Sequence, residues 1–294
     1  MTEQEQQEQY VYLNGKIIPR SQAALDISDT GFLHGAGVFT TLRSHNGKAF
    51  RLDEHINRLI STADKIGIRY TVNHQVLTKA VEGVLKANNL SEARIRITLT
   101  PGPVGQDNPT TLITAAPLEP YPRSWYEKGI SVITSAVKQY SGDPTTGLKT
   151  SCYLSRILAR QAAAAAGADE ALWYTEENLL AEACFCNVFL VRDGQLWTPP
   201  LETPVLAGIT RQVVLELAEK LNITYHDNVP LKADDLMSAE EVFLTSSTAG
   251  IRPVVVIDRQ PVGDEKPGPI TKNLIAAYEQ LLERQCPAEK DKST

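Results

Sequence analysis

The sequence predicts an α+β fold with mixed sheets, divided into two domains. Three observations carry that expectation. Strands and helices, read by their periods of two and 3.6 residues, follow one another along the chain with no internal repeat and no low-complexity block. One stretch, EPYPRSW at 119–125, holds two prolines and no period, which marks a boundary between domains. The 294 residues, 42% hydrophobic and 22% charged, suffice for one large domain or two ordinary ones with a sizeable core.

Taken in order, residues 1–9 read as a disordered polar tail. Tyr10 to Ile18 reads as a hairpin turning at Asn14-Gly15. GFLHGAG (31–37) reads as a glycine-rich bend. Val38 to Ser44 alternates as a strand, and Asn46-Gly47 turns the chain toward Phe50. Asp53 is the predicted N-cap of a helix from Glu54 to about Ile66, with Ile56, Leu59, Ile60 and Ala63 on one face. A second amphipathic helix covers 74–88. Strands follow at Arg94–Thr100 and Leu112–Ala116, separated by a loop. Beyond the boundary come a strand (Ile130 to Val137), a loop (Gln139 to Leu148), a helix (Tyr153 to Ala166) and a strand at Glu170–Tyr174. A hairpin then leads to a strand at Asn187–Val191. A turn at Asp193-Gly194, a helix from Thr210 to Leu221, a strand at Val242–Thr245 and a helix from Thr271 to Arg284 complete the chain. The predicted division is therefore a tail (1–9), a small N-terminal α/β domain (10–118), a linker (119–129) and a large C-terminal domain (130–294).

Composition narrows the function. With 29 basic and 35 acidic side chains the formal charge is -6, so an extended nucleic-acid or anionic-membrane surface is not expected. No apolar run approaches the roughly 20 residues of a membrane helix. The N-terminus, MTEQEQQEQY, lacks a signal-peptide core, so the four cysteines are expected as reduced thiols of a cytoplasmic protein. Cys184 and Cys186 form a C-x-C pair with no second pair at zinc-like spacing; they read as small buried side chains on one strand face, and no metal site is expected. His55, His74 and His226 read as surface or structural residues.

Five segments bear groups of a different kind. LAGITR (206–211) is a glycine turn entering a helix, where the N–H groups of Ile209 and Thr210 and the helix dipole favour an anion. SSTAG (246–250) offers hydroxyls and amides after a strand, and Arg58 lies on the first helix. Each alone is ordinary: a turn, a loop, a solvated face. Lys149, in GLKTSCYL, follows an irregular loop; it is either a solvated lysine or one held in a cleft and able to form an imine. Glu182 interrupts the apolar run LLAEACFCNVFLV, where a carboxylate is costly unless paired, and a cationic ring nitrogen would pair it. A lysine for an aldehyde, an acid for a pyridine nitrogen and a site for a phosphate together fit pyridoxal 5'-phosphate (PLP). The acid keeps the ring protonated and electron-accepting, and the lysine can carry the substrate's proton.

In order and spacing, GFLHGAGVFTTLR, FRLDEHINRL, GLKT, EALWYTEENLLAEACFCNVFLV, LWTPPL, VLAGITR, EEVFLTSSTAGIRPV and PGPIT resemble the class IV (fold type IV) PLP aminotransferases. The likeness runs roughly from Tyr10 to Leu282. That family includes branched-chain and D-amino-acid aminotransferases and aminodeoxychorismate lyases. The resemblance implies a smaller N-terminal and a larger C-terminal domain with the cofactor between them, in a homodimer whose partner chain helps close the active site. It implies Lys149 as the Schiff-base lysine, Glu182 as the acid at the pyridine nitrogen and Arg58 as the arginine on the phosphate. Ile209 and Thr210 correspond to the phosphate cup at a helix start, and Ser247 and Thr248 to a second phosphate loop. Tyr153 resembles the tyrosine that bonds the ring hydroxyl in branched-chain enzymes, although it follows the lysine by four residues, one fewer than there.

Substrate choice stays open at this stage. Arg94 and Arg96 share one strand face, and the offset of Arg96 from Gly102 matches the branched-chain enzymes' arginine; an ion pair at the surface or a dimer interface is the plain alternative for either. The loop TPGPVGQDNP lacks the arginine–histidine pair of typical D-amino-acid enzymes, for which Arg43 could substitute. His34 stands where the branched-chain enzymes usually have tyrosine. Phe39-Thr40-Thr41 is closer to the lyases, with Thr41 at a position near their substrate, whereas Ser247 stands where a lyase has asparagine. Ala249 is grouped with these substrate positions. The expected activity is transfer of an amino group between an amino acid and a 2-keto acid. The alternatives are pyruvate-releasing aminodeoxychorismate lyase and a PLP-binding protein without turnover.

Overall fold

A computed structural model describes residues 8–288. It is a mixed α+β structure with two sheets, and the chain separates into two compact units. Unit 1 comprises Met1–Glu119, Lys149–Cys152 and Leu282–Thr294; unit 2 comprises Pro120–Leu148 and Tyr153–Leu281.

Unit 1 is built from β1 (Tyr10–Leu13), β2 (Lys16–Pro19), α1 (Thr30–His34), β3 (Val38–His45), β4 (Lys48–Ala49), α2 (Leu52–Lys65), α3 (His74–Ala87), β5 (Ala93–Thr100) and β6 (Thr110–Pro117). Its antiparallel sheet runs β2-β1-β6-β5-β3-β4. The hairpin turns use the predicted pairs: Asn14 and Gly15 have φ of 46° and 95°, Asn46 and Gly47 51° and 76°. Alternation along β3 and β5 sorts the side chains. Val38, Leu42, Ile95, Ile97 and Leu99 join Ile56 and Leu59 of α2 and Leu77, Val81 and Val84 of α3 in one core. On the other sheet face, Phe39, Thr41 and Arg43 lie opposite Thr98, Arg96 and Arg94 in register.

Unit 2 contains α4 (Ser124–Glu127), β7 (Ile130–Thr134), α5 (Leu154–Ala165), β8 (Glu170–Tyr174), β9 (Leu180–Ala183), β10 (Asn187–Arg192), β11 (Gln195–Trp197), α6 (Ile209–Lys220), β12 (Tyr225–His226), α7 (Ala233–Met237), β13 (Glu241–Ser246), β14 (Gly250–Ile257), β15 (Gln260–Pro261) and α8 (Pro269–Gln285). The residues of α8 from Leu282 onward are counted with unit 1. The sheet runs β12-β11-β10-β13-β14-β7-β8-β9, with β15 on β14, and mixes parallel with antiparallel pairs. Strands β8 and β9 are buried throughout, so their polar residues need partners. One face packs Val188, Leu190, Val242, Leu244, Val254 and Leu172. A second cluster joins Ala171, Trp173 and Cys184 to Ala159 and Ala163 of α5.

The structure departs from the sequence expectation at several places. The bend at 31–37 contains the short helix α1: the Asp29 carboxylate accepts the Gly31 N–H, and Gly35 closes the helix in the left-handed region. Helix α2 starts two residues early. Its N-cap is Arg51 at φ 55°, and Asp53 sits in the first turn without capping it. The 119–129 segment is not structureless, because α4 lies within it. Lys149–Cys152 and the segment from Leu282 belong with unit 1, not with the C-terminal stretch in which the sequence reading puts them. Cys184 and Cys186 occupy the turn between β9 and β10 and point into different clusters, so the expectation of one strand face does not hold. The short strands β11, β12 and β15, and the longer β14, are not anticipated by the sequence reading. Of the expected tail, residues 1–7 lie outside the described residues. Among the described residues, no helix is long and apolar enough to cross a membrane, and no cluster of three or more metal-ligating side chains is found.

Candidate active site

In unit 1 the segment carrying Lys149 pairs with the start of β3. The Phe39 N–H donates to Lys149 O (2.9 Å), the Ser151 N–H donates to Gly37 O (2.8 Å), and Val38 and Thr150 form an antiparallel bridge. The close approach needs Gly37: a Cβ there would stand 3.0 Å from Ser151 Oγ and 3.2 Å from Leu99 O. This pairing carries the half-buried Lys149 Nζ to 5.0 Å from the centroid of the Phe39 ring. The Arg96 guanidinium lies 3.6 Å from the same centroid, and its Nε donates to Thr98 Oγ1 (3.1 Å). Two cations thus share one aromatic side chain, an arrangement favoured by the negative face of the ring. Thr41 is the register partner of Arg96.

On the opposite face of β3, Arg58 Nη2 donates to Thr40 Oγ1 (3.2 Å), and Thr40 Oγ1 lies 2.7 Å from His55 Nδ1. His55 is 1% exposed. Burial first, then the charges of Arg58 and Lys149, hold its pKa well below the ordinary 6.5, so the ring is neutral. A guanidinium can only donate, so the Thr40 hydroxyl accepts from Arg58. His55 is therefore a buried member of this network, one turn from Arg58 on the inward side of α2.

In unit 2, Glu182 of β9 is buried and accepts two kinds of donor. Arg156 Nη2 of α5 reaches Oε1 at 2.5 Å, and the Leu206 N–H reaches Oε2 at 3.0 Å. Arg156 Nη1 donates to the carbonyls of Ala183 (3.1 Å) and Cys184 (3.0 Å). With the Gln139 amide turned to satisfy both its ends, its oxygen accepts from Arg156 Nη2 (2.9 Å) and its nitrogen donates to Pro204 O (2.8 Å). Burial, the largest influence, works against the Arg156 charge, but Glu182, Tyr153 and Cys184 together outweigh it and hold its pKa above the ordinary value. No protein partner for Glu182 is legible in the sequence. The structure supplies Arg156, which escapes a sequence reading because an arginine in an alanine-rich helix reads as a solvated one.

The remaining expected residues of unit 2 sit on turns and helix ends. Gly208 precedes Ile209 and Thr210 at the start of α6, which has no side-chain cap. Asn187 donates to Leu206 O (2.8 Å) and fixes this entry; a Cβ on Gly208 would stand 1.9 Å from Asn187 Oδ1. Ser247, Thr248 and Ala249 form the turn between β13 and β14. Thr248 Oγ1 lies 2.9 Å from Tyr121 Oη, and Tyr126 Oη donates to Ala249 O (2.8 Å). Tyr153 stands at the N-cap of α5, stacked on Phe185 at 5.7 Å between centroids.

Four candidate substrate residues differ in setting. His34 is exposed at the end of α1. Arg94 is exposed, whereas Arg96 is half-buried on Phe39. Arg43 is held by Glu92 at 3.0 Å. Of the other histidines, His74 lies 3.4 Å from Asp53, and His226 stacks on Trp197 at 3.8 Å. Other recognisable stretches serve the framework. In LWTPPL, Pro199 O accepts from the buried Arg211, and at PGPIT the Glu241 carboxylate accepts the N–H groups of Ile270 (3.0 Å) and Thr271 (2.7 Å), capping α8.

Residues 37–257 match the family model described as amino-transferase class IV. The chain is 35% identical over 279 residues to a Methanocaldococcus jannaschii protein provisionally named as a branched-chain-amino-acid aminotransferase, covering 92% of this chain and 96% of that one. It is 33% identical over 279 residues to the D-alanine aminotransferase of Bacillus licheniformis, with the same coverage of 92% and 96%. Among solved structures it is similar to the branched-chain amino acid aminotransferase of Escherichia coli, at a TM-score of 0.90 and 27% identity over 98% of each chain.

Proposed function

The chain belongs to the class IV aminotransferases, and on that premise we propose that it binds PLP and transfers the amino group of an amino acid to a 2-keto acid through Lys149. Transfer of amino groups is the family's activity; the cofactor, the residue roles and the substrates are this reading. Bound here, PLP would supply an aldehyde carbon for the amino group and a ring able to accept electrons from the substrate's Cα–H bond.

The donor set fits that group. Glu182 is buried, yet Arg156 and the Leu206 N–H occupy only part of the roughly four acceptor positions on its two oxygens, which leaves capacity for a ring N–H. The uncapped start of α6 at Ile209 and Thr210 and the hydroxyls of Ser247 and Thr248 suit a phosphate, as does the Arg58 guanidinium. Tyr153 is assigned to the ring hydroxyl. Lys149 is assigned to the aldehyde and to carrying the substrate's α proton. Arg96, with Phe39, Thr41, His34 and Ala249 as the other substrate positions, is assigned to the substrate carboxylate. The Phe39 ring is the common support of the Arg96 and Lys149 cations.

The observation that carries the reading is the fixing of Lys149. An otherwise ordinary loop lysine is locked by backbone pairing beside Phe39 and Arg96, within electrostatic reach of the buried His55. The test is borohydride reduction of the protein loaded with PLP, followed by peptide mass analysis. A pyridoxyl group on Lys149 is expected; one on another lysine, or none, overturns the assignment. A half-reaction screen over L- and D-amino acids then reads the donor. Release of pyruvate from aminodeoxychorismate without a keto-acid acceptor would favour the lyase, for which Phe39-Thr40-Thr41 is the supporting feature.

A homodimer is part of the same reading. Ile27 (83% exposed) and Phe32 (72%) in unit 1, and Leu154 (69%) and Leu158 (54%) in unit 2, are apolar surfaces that a second copy would cover. The cytoplasm is the proposed compartment, supported by four free cysteines.

A further inference from the structure

Arg156 lies outside the residues to which the family resemblance assigns a role, yet its hydrogen bonds converge on Glu182 and the groups around it. It donates to Glu182 Oε1 at 2.5 Å, to the carbonyls of Ala183 and Cys184, and to Gln139. Gln139 is itself anchored: its N–H donates to Tyr174 O (2.9 Å), and its carbonyl accepts from the Glu176 N–H (3.1 Å). The guanidinium is thus tied to β9, to the turn that follows it and, through Gln139, to the end of β8. Such a fixed fork holds a carboxylate in one orientation, as a flexible ammonium would not.

We propose that Arg156 is a positioning residue for the acid at the cofactor's ring nitrogen: it pairs with Glu182 and holds its carboxylate in one orientation, so that a proton on the pyridine nitrogen stays on nitrogen. The proposal rests on the assignment of Glu182 made above. The physical reason is the distribution of charge among the three groups. A lone buried carboxylate next to a protonated ring nitrogen competes for that proton, because burial favours its neutral acid form. A guanidinium hydrogen-bonded to the carboxylate removes the competition, since it stabilises the anion it touches far more than it disturbs a group farther off. The other ionisable groups acting on Arg156 are Tyr153 and Cys184. Cys184 cannot take over the pairing, because burial pushes its thiol up to about 12. Trp173, whose ring centroid lies 5.6 Å from the Arg156 guanidinium, adds a contact favourable to the cation.

The experiment compares Arg156→Gln, Arg156→Lys and Glu182→Gln with the wild type, each as the full-length protein loaded with PLP. Two readouts besides turnover are taken: the fraction of PLP retained on dialysis, and the visible absorbance of the bound cofactor as a function of pH. For Arg156→Gln, PLP affinity is expected to fall roughly 10–100-fold, the range found for partners that orient a ligand-holding side chain, and the absorbance titration to shift relative to wild type. Arg156→Lys, which keeps the charge but loses the fork, is expected to restore the titration while recovering only part of the affinity. If Arg156→Gln does not fold, the lysine variant decides: a titration matching wild type with weakened affinity supports the proposal, and one as distorted as that of Glu182→Gln overturns it. An Arg156→Gln protein whose affinity and titration both superimpose on wild type, while Glu182→Gln alters them, overturns the positioning role alone. If Glu182→Gln also leaves both unchanged, the assignment of Glu182 fails, and the proposal with it.

Discussion

At the candidate site the two units treat charge in opposite ways. In unit 1, cations gather on neutral partners: Lys149 and Arg96 on the Phe39 ring, Arg58 on the Thr40 hydroxyl with a neutral His55 behind it. In unit 2, a buried carboxylate is held by an arginine and a backbone N–H, and the entry to α6 presents backbone donors without a side-chain cap. The first arrangement gathers positive charge beside an aromatic ring and a hydroxyl. The second gives a buried acid the partner that makes its burial tolerable. Neither arrangement could be built by a lone charge in an apolar core.

The contrast can be broken from either side. The largest effect on turnover is expected at unit 1: Lys149→Ala should lower the amino-transfer rate by about 10²–10⁴-fold or more, measured in single turnovers with saturating PLP. A rate within a few-fold of wild type would remove Lys149 from the chemistry. The largest effect on stability is expected at unit 2. Arg156→Leu strips the partner from a carboxylate only 5% exposed and should cost about 3–5 kcal/mol in urea unfolding of the PLP-free protein. Thr40→Val removes the hydroxyl that Arg58 and His55 share and should cost about 1–3 kcal/mol in the same measurement.

His55 gives the comparison a pH dependence. Its folded pKa lies well below 6.5, so above 6.5 both folded and unfolded states hold it neutral and its contribution is complete. As pH falls below 6.5 the unfolded state gains a proton that the folded state refuses, and stability is lost until the folded pKa is passed. Replacing His55 by Asn should flatten that part of the stability–pH curve; an unchanged acid slope would show that His55 is not the group responsible. The smallest effect is expected at Arg94, exposed on the strand that carries Arg96. Arg94→Ala should change stability by no more than about 0.5 kcal/mol and leave KM unmoved, whereas Arg96→Ala should raise KM for the amino donor.

Much of the fold was legible because its signals are local. Asn14-Gly15, Asn46-Gly47 and Asp193-Gly194 turn the chain where the sequence reading turns it, since few residue pairs accept two positive φ angles in succession. Helices α3 and α6 follow their apolar spacing to within one residue at each end. The errors fall where a partner outside the local pattern decides the outcome. Asp53 has the chemistry of a cap, but the helix begins ahead of it, with Arg51 at the N-cap position and no side-chain cap. GFLHGAG looks like a bend because Asp29, outside the stretch, is what nucleates α1. In the candidate site the same division holds. Glu182 stands out as a carboxylate in an apolar run, and Lys149 and Arg58 are picked out by the family resemblance. Thr40, His55, Gln139 and Arg156 do not stand out, because a threonine in a strand or an arginine in a helix looks ordinary until its neighbour is known.

What the amino acids alone determined was the order of strands and helices, the turns between them and the kinds of chemical group available, because backbone sterics and the spacing of apolar residues act over a few positions. Only the tertiary structure decided which charges meet. Glu182 and Arg156 stand 26 positions apart, and Arg58 and Thr40 stand 18 apart. Burial sets the energy of such a charge, and the partner that makes burial tolerable is chosen by how helices and strands pack, which no local rule fixes.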